Sequence, residues 1–216
     1  MTIENLEGQL RPQSRAGMIL YNLAKDTNNK VFVEIGSWNG RGSTQCIMNA
    51  LIHRIDACSL YSLEVNKEFH EIAQRIWNKK LRKYNTISQS KLNLIWGRVV
   101  NEEDVPSLQE VMKSRHSHDR WPTFYREFFD ACAAGCPNVI SDIPKKIDVL
   151  VLDGGEFTTF ADYQTLKDRS RIIFCDDSSK YKCEKVRAEL LEDKNFKVLN
   201  DEPHTRNGFC VFERIS

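Results

Sequence analysis

Two hydrophobic periods alternate along this chain, and this alternation restricts the possible folds more than any other feature. Five short apolar runs are bounded by polar residues or glycine, as buried strands are. They are residues 31–35, 59–63, 92–96, 148–152 and 171–175. Between them, apolar residues recur every three or four positions, for example in 69–81 and 183–190, which indicates helices with one buried face. Strands and helices in alternation predict a parallel sheet covered on both faces.

The pattern changes near the carboxyl terminus. Apolar runs at 196–200 and 208–213 follow one another too closely for a helix between them, so they predict an antiparallel pair. A helical pattern at 16–23 lies within an N-terminal segment, 1–29. The predicted fold class is therefore α/β, a doubly wound, Rossmann-like sheet of seven strands, mostly parallel with an antiparallel C-terminal edge pair.

Size and charge narrow the class of protein further. The 216 residues are 41% hydrophobic, which suits a single domain over 1–216 with one sizeable core. A net charge of +1 predicts neither a nucleic-acid partner nor a membrane surface. The first residues lack the pattern of a secretory signal, and the seven scattered cysteines are an odd number. These features favour reduced thiols and a cytoplasmic location.

The first predicted strand runs into a glycine-rich turn, EIGSWNGRGS at 34–43. Glycines let a chain turn sharply and pass close to a ligand, and the following helix offers free N–H groups. The turn therefore suggests a nucleotide-like ligand. The spacing of Gly36, Gly40 and Gly42 differs from the Gly-x-Gly-x-x-Gly of dinucleotide sites, which disfavours a pyrophosphate.

Glu64 ends the second predicted strand, 30 residues beyond Glu34. A carboxylate at this place can accept hydrogen bonds from both hydroxyls of a ribose, as an acidic residue does in dinucleotide folds. The alternative is an acid that only faces the positive end of the helix beginning near Asn66.

Acidic residues also follow the fourth and fifth strands, at Asp153, Asp176 and Asp177. In a parallel sheet these neighbouring strand ends meet, and three close carboxylates repel one another unless they are protonated or bind a cation. Oxygen ligands alone favour Mg²⁺, Mn²⁺ or Ca²⁺ over zinc. The alternative for the segment 176–179 is a cap for the next helix.

Four segments, 31–44, 61–64, 149–155 and 172–177, resemble those of class I S-adenosylmethionine-dependent methyltransferases. Within that class the chain looks most like the metal-dependent small-molecule O-methyltransferases, the group of the catechol and macrocin enzymes. The resemblance extends over residues 30–213.

The resemblance implies roles for individual residues. The implied contacts to S-adenosylmethionine are Glu34, Gly36, Ser37, Trp38 and Gly40 around the methionine end, Glu64 at the ribose, Gly97 and Arg98 at the adenine, and Asp153. The implied ligands of a divalent metal, Mg²⁺ or Mn²⁺, are Asp153, Asp176 and Asp177.

The general base is left open by the sequence. Where the family often has a His or Lys after the fourth-strand aspartate, this chain has Gly154, Gly155 and Glu156. The catalytic candidates are Asp153 itself, Glu156 and His204, which lies in the turn between the last two strands. Glu156 could instead be a solvated residue at a helix start, and His204 a surface histidine.

The connection 98–147 is longer than one crossover helix requires, and it is predicted to form part of the acceptor site. Trp121 is its candidate acceptor contact. Phe124, Tyr125, Phe128 and Phe129 have helical spacing, which predicts that most of them belong to the core.

The resulting hypothesis is an S-adenosylmethionine-dependent O-methyltransferase, with a divalent metal orienting and acidifying a hydroxyl of a small molecule, favoured to be a sugar. Catechol-type and natural-product acceptors remain open, as does a homo-oligomer. Alternatives of another class are a nicotinamide-dependent oxidoreductase and a non-catalytic cofactor-binding module, which includes a chain that assists a partner enzyme.

Overall fold

The computed structural model describes residues 6, 8, 10–85, 88 and 91–215. Within this part of the chain, seven strands form one sheet in the order β3-β2-β1-β4-β5-β7-β6. The strands are β1 Val31–Ile35, β2 Ser59–Glu64, β3 Leu92–Trp96, β4 Ile147–Leu152, β5 Ser170–Asp176, β6 Phe196–Glu202 and β7 Phe209–Arg214. The α-helices are α1 Arg15–Lys25, α2 Ser43–Leu51, α3 Lys67–Leu81, α4 Leu108–Val111, α5 Trp121–Ala133, α6 Thr159–Leu166 and α7 Tyr181–Glu192. Single 3₁₀ turns occupy Glu102–Asp104, Ile140–Asp142 and Lys167–Arg169.

The pairing of the strands confirms the predicted fold class. β3, β2, β1, β4 and β5 run parallel to one another, whereas β7 is antiparallel to both β5 and β6. Apolar runs without polar alternation form the central strands because both faces of the sheet are covered. The close spacing of the last two runs leaves room only for a hairpin, which closes the edge beyond β5.

The register places the ends of four strands on one line. Ile35 of β1 is level with Leu63 of β2 and with Leu152 of β4, and Leu152 is level with Cys175 of β5. The next residue along each strand is therefore at the carboxyl edge of the sheet. Those four residues are Gly36, Glu64, Asp153 and Asp176.

Helices pack on both faces of the sheet because successive side chains of a strand point to opposite sides. Phe32 packs in a cluster with α1, α2 and the end of α3, whereas Val33 packs in a second cluster with α5, α6 and α7. The two clusters form the apolar core on either side of the sheet. They fix the direction in which each strand end faces.

The predicted N-terminal segment 1–29 is described from residue 10 onward and at residues 6 and 8, and its other residues lie outside the described part of the chain. Its helix α1 begins after Ser14, whose hydroxyl accepts a hydrogen bond from the Gly17 N–H at 3.1 Å. None of the described helices is long and apolar enough to span a membrane.

Candidate active site

A cavity of about 280 Å³ opens at the carboxyl edge of the sheet. It is lined by the turn after β1, by the ends of β2 and β3, by the segment after β4, and by α5. The strand order reverses between β1 and β4, and such a reversal is where open α/β sheets bind their ligands. A second cavity, of about 260 Å³, shares Gly36, Trp38 and Asp153 with the first.

The glycine-rich turn lies against the end of β4 without space for side chains. Gly36 has φ +90°, and a Cβ atom there would be 2.5 Å from the Asp153 carbonyl oxygen. Gly40 has φ +73°, and a Cβ atom there would be 2.7 Å from Trp77 Nε1, which donates a hydrogen bond to the Gly40 carbonyl. Both positions therefore require glycine, for backbone conformation and for space.

Trp38 lies in the same turn at φ +47°, a conformation that is uncommon for residues other than glycine. Its backbone N–H is thereby directed at Glu64 Oε2, at 2.7 Å, and its indole ring meets Phe69 edge-on at 6.3 Å between ring centroids. Trp38 lines both cavities. Its side chain therefore borders the space next to the glycine-rich turn.

Glu64 is part of the wall of the first cavity. Oε2 accepts from the Trp38 N–H and Oε1 accepts from the Asn66 N–H at 2.9 Å, so both oxygens have fixed positions. The side chain is buried, and this burial raises its pKa to about 7. A carboxylate offers about four lone-pair directions, so two backbone donors leave capacity for two ligand hydroxyls.

Gly97 and Arg98 reach the cavity from the end of β3. A Cβ atom on Gly97 would be 2.7 Å from the Val139 methyl carbons, so glycine is required for packing here. The Arg98 guanidinium donates to the carbonyls of Cys136 and Val100. Its charged group thus holds the connection 98–147 against the sheet.

Glu34 and Ser37, both predicted cofactor contacts, differ from each other in their environments. Glu34 is fully buried beneath the turn and lines neither cavity; its Oε2 accepts from Thr44 Oγ1 at 2.6 Å and from Ser62 Oγ. Burial raises the pKa of Glu34. Ser37 lines the second cavity, and its buried hydroxyl has no hydrogen-bond partner among the described residues. Ser37 thus borders the second cavity, whereas Glu34 supports the turn from below.

The three predicted metal ligands do converge, but a lysine ammonium lies among them. Lys182 Nζ, from the second residue of α7, donates to Asp153 Oδ1 at 2.8 Å. The same nitrogen is 2.9 Å from Asp177 Oδ2 and 3.9 Å from Asp176 Oδ2. The Lys182 side chain is only 7% exposed. The three carboxylates thus already have a cation of the chain itself among them.

This arrangement does not fit the divalent ion that the sequence predicts. An Mg²⁺ ion needs oxygen ligands at about 2.1 Å, and the Lys182 ammonium lies between the oxygens that would have to approach it. The two cations would also repel each other at close range. Among the described residues, no group of three or more His, Cys, Asp or Glu side chains is arranged to hold a metal ion. The prediction counted the carboxylates and omitted the cation that α7 brings to them.

A second cation comes from the turn between β6 and β7. Arg206 forms an ion pair with Asp176 and is 3.5 Å from Asp177. The turn is held in place by two backbone hydrogen bonds, from Ser178 N–H to the Gly208 carbonyl at 3.1 Å and from Ser179 N–H to the Asn207 carbonyl at 2.9 Å. The C-terminal hairpin therefore completes the charge balance at the end of β5.

The two neighbouring aspartates have opposite pKa shifts. Burial and the charge of Asp153 raise the pKa of Asp176 to about 7, against the opposing effect of Lys182. Burial also acts to raise the pKa of Asp177, but Lys182, a hydrogen bond from Asn207, and Arg206 together hold it below its ordinary value. The lowered pKa of Asp177 means that this carboxylate is ionised beside the lysine at neutral pH.

The three candidates for the general base differ in their position relative to the two cavities. Glu156 lines the first cavity, and burial raises its pKa although the charge of Lys182 lowers it. His204 is exposed on the β6–β7 turn and lines neither cavity, so the structure does not support a role for it in proton transfer. Asp153 lines both cavities, but its carboxylate already accepts from Lys182 and from Ser43 Oγ, at 3.0 Å.

The aromatic residues of α5 correct the prediction for the acceptor wall. Trp121 is 2% exposed and packs edge-on against Phe157 and Tyr181, with ring centroids 5.1 Å apart in each pair. Phe124, Tyr125 and Phe128, which the sequence predicts mostly for the core, do pack in or against the core cluster, and the same side chains also line the cavity together with Phe157. Helical spacing identifies which residues share a face, but it does not say whether that face meets the core or a cavity.

Asp162 is a cavity residue that the sequence does not reveal. It lies on α6, is 3% exposed and has a pKa raised to about 7 by burial. Its Oδ2 atom has no hydrogen-bond partner among the described residues and belongs to a side chain that lines the first cavity. Asp162 directly follows Phe160 and Ala161 in the first turn of α6, and this position in the sequence gives no sign of a contact with a ligand.

No protein-family model matches this sequence, and no curated protein matches it either. Solved structures do match. A methyltransferase from Geobacter sulfurreducens aligns with a TM-score of 0.57 at 14% identity, over 94% of this chain and 80% of its own. An O-methyltransferase from Bacillus cereus in complex with SAH gives 0.54 at 13% identity, over 92% and 80%. The O-methyltransferase TomG from Streptomyces achromogenes, in complex with SAM, gives 0.55 at 16% identity, over 93% and 79%.

At these low sequence identities, the similarity to the solved structures is a similarity of fold. Together with the strand order, it shows that the chain has the fold of class I S-adenosylmethionine-dependent methyltransferases. The activity of this chain has to be argued from its own cavity, since one fold supports many functions.

Proposed function

We propose that this protein transfers a methyl group from S-adenosylmethionine to a hydroxyl group of a small molecule. The observation that carries the proposal is the position of Glu64. It is a buried carboxylate with both oxygens oriented by backbone N–H groups, next to a glycine-rich turn, in a cavity at the switch point of the sheet. Solved structures of the same fold hold SAH or SAM, which supports the choice of cofactor.

The residues that line the cavity fit an adenosyl cofactor. Glu64 has free lone pairs for the ribose hydroxyls, and the absence of a side chain at Gly36 lets a ligand approach the backbone between β1 and β4. Asp162 Oδ2 in this cavity and the Ser37 hydroxyl beside the second one have no hydrogen-bond partner in the described part of the chain, and we assign both to polar contacts with the cofactor. When bound, the cofactor supplies an electrophilic methyl group on a sulfonium.

The chemistry then requires alignment and removal of one proton. The acceptor oxygen forms a bond to the methyl carbon while the carbon–sulfur bond breaks, and the acceptor proton leaves to a base. Glu156 is the group we assign to that proton. It lines the cavity, and a carboxylate whose pKa is raised by burial is a better base near neutral pH. Alignment by the cavity walls contributes several kcal/mol, as fixed geometry does generally.

The metal-assisted form of this reaction, which the sequence predicts, has little support from the arrangement of side chains. Lys182 and Arg206 already balance the charge of the carboxylates that would bind the ion. We therefore derive the role of each residue without a metal.

For the acceptor we propose a sugar hydroxyl. The walls formed by Phe124, Tyr125, Phe128 and Phe157 present aromatic faces, which stack on the apolar face of a sugar ring. An aryl hydroxyl would meet the same walls, so the assay includes both classes.

The test combines binding and turnover. Titration of intrinsic tryptophan fluorescence with S-adenosylhomocysteine should show saturable binding because Trp38 lines the cavity, whereas NAD should cause no saturable change. A radiolabelled-methyl assay over panels of sugars and catechols should then transfer label to a sugar. Binding of NAD without binding of S-adenosylhomocysteine would show that the proposal is wrong and favour an oxidoreductase. Binding without turnover on either panel would favour a non-catalytic module.

A further inference from the structure

We propose that Lys182 is the resident cation of the carboxylate cluster and replaces a divalent metal, so that the methyl transfer proposed above proceeds without one. The cluster is defined as Asp153, Asp176 and Asp177. The inference rests on the proposed function for its consequence in catalysis. Its geometric part, a lysine in the place of a metal ion, stands on the structure alone.

The distances assign the ammonium to the whole cluster. Lys182 Nζ lies within 3 Å of an oxygen of Asp153 and of Asp177, and 3.9 Å from an oxygen of Asp176. These residues follow two different strands, β4 and β5. A single group that contacts both strand ends holds them at a fixed separation, as a bridging metal ion would.

The burial and charge of Lys182 also indicate that its ammonium group stays within the cluster. Burying an ammonium is costly unless it is paired, and the Lys182 side chain is 7% exposed. Its pairing with the cluster is therefore a condition for the folded state. Arg206 adds a second positive charge beside Asp176, so that the cluster has two cations for three carboxylates and little remaining attraction for a dication.

The position of Lys182 in the chain supports the same conclusion. The residue is on the buried face of α7, one helical turn before Val186, which is fully buried. Its side chain also lines the second cavity, which shares Gly36, Trp38 and Asp153 with the lining of the first. Lys182 thus positions the Asp153 carboxylate at the wall shared by both cavities.

The test compares Mn²⁺ binding by the full chain and by Lys182→Met, which keeps the length of the side chain and removes its charge. In electron paramagnetic resonance titrations up to about 1 mM Mn²⁺, the wild-type protein should leave the ion free, and Lys182→Met should bind one ion at least about tenfold more tightly. Lys185→Met, which removes an exposed ammonium from the same helix, is the matched control and should behave as wild type.

Thermal unfolding gives a second readout. Mn²⁺ should raise the unfolding midpoint of Lys182→Met and leave that of the wild type unchanged, because only the variant lacks the ammonium that lies between Asp153 and Asp177. If Lys182→Met fails to fold even with Mn²⁺, the double variant Lys182→Met/Asp177→Asn, which removes one charge of each sign, takes its place in both measurements.

The inference is overturned if the wild-type protein binds one Mn²⁺ ion under these conditions, or if neither lysine-free variant binds it. It is also overturned if a chelator abolishes methyl transfer by the wild type and Mn²⁺ restores it. Failure of the proposed function would appear differently, as absence of S-adenosylhomocysteine binding and turnover with the Mn²⁺ results still as expected.

Discussion

At the scale of single residues, Glu64 illustrates how a binding group can oppose folding. Its carboxylate is buried, and the two backbone N–H groups that orient it do not fully compensate the loss of solvation, since the pKa is raised to about 7. The ionised form that suits a ribose is the form that the folded protein without ligand disfavours.

This predicts a specific dependence of stability on pH. Below its ordinary pKa of 4.5 the Glu64 carboxyl is protonated in both states, and between 4.5 and about 7 the unfolded chain loses the proton while the folded chain retains it. The free energy of unfolding therefore falls through this range, by roughly 3 kcal/mol from this group alone. Urea unfolding without ligand measures the free energy of unfolding of wild type and of Glu64→Gln. Between about pH 5 and pH 8, the wild type should lose roughly this amount of stability relative to the variant.

The control for this measurement is Glu68→Gln, which alters an exposed carboxylate at the start of α3. The difference in free energy of unfolding between Glu68→Gln and wild type should change by less than about 0.5 kcal/mol over the same pH range. A difference between wild type and Glu64→Gln that does not vary with pH would contradict the burial argument.

The same substitution should weaken the binding of cofactor. An amide offers a single acceptor oxygen and no charge, so the ribose loses a charge-assisted hydrogen bond worth about 1.5 to 3 kcal/mol. The dissociation constant of S-adenosylhomocysteine for Glu64→Gln, measured by calorimetry near pH 8, should rise about tenfold to a hundredfold. An unchanged value would remove Glu64 from the ribose site, and Glu68→Gln should again match wild type.

Glu156 has a different expected signature. As the proton acceptor, it should affect turnover and leave the binding of cofactor unchanged, so Glu156→Gln should lower kcat by about a hundredfold or more. The dissociation constant of S-adenosylhomocysteine should stay at the wild-type value. Glu192→Gln, an exposed carboxylate at the end of α7, serves as control. Full turnover by Glu156→Gln would assign the proton to another group.

At the scale of elements, the turn after β1 depends on contact with β4. Gly36 combines a positive φ with a Cβ position 2.5 Å from the Asp153 carbonyl, whereas Gly135, just beyond α5, has φ +85° and open space around it. The two glycines share the conformational requirement and differ in the steric one. They therefore allow the two effects to be measured separately.

We expect Gly135→Ala to lower the free energy of unfolding by about 1 kcal/mol, because alanine is strained in the left-handed conformation. Gly36→Ala should lower the free energy of unfolding by at least about 2 kcal/mol more than Gly135→Ala does, because the turn or the end of β4 must move. Urea unfolding of both variants measures these costs, and calorimetry with S-adenosylhomocysteine should show a loss of affinity in Gly36→Ala only. Equal destabilisation in the two variants would show that the approach of the turn to β4 is not required.

At the scale of the whole molecule, the site is assembled from segments far apart in the chain, from the turn at 36–40 to the hairpin turn that carries Arg206. Ligand that binds only this assembled form must stabilise it. At a concentration of S-adenosylhomocysteine about one hundred times its dissociation constant, the free energy of unfolding should rise by about 2.7 kcal/mol.

This prediction is checked by urea unfolding with and without ligand. The increase should be smaller in Glu64→Gln at the same ligand concentration, in proportion to its weaker affinity, whereas NAD should produce none. An equal increase in both proteins would indicate binding outside the cavity.

Much of this organisation follows from the sequence alone. Short apolar runs and one-faced helical patterns determine the order of elements, and a parallel sheet must bring the residues after its strands to one edge. The convergence of Gly36, Glu64, Asp153 and Asp176 was predictable for this reason, because strand pairing is periodic and its register aligns the ends.

The remaining features depend on the rotation of helices and on long side chains, which local patterns do not encode. The rotation of helix α5 about its own axis places Phe124 at the cavity and Trp121 in the core. The charge of Lys182 could be noticed on a buried helical face, but its partners lie on two strands and only packing brings them within 3 Å. Tertiary structure therefore decided which cation the acidic strand ends hold, since an ion pair depends on distances in space and not on separation along the chain.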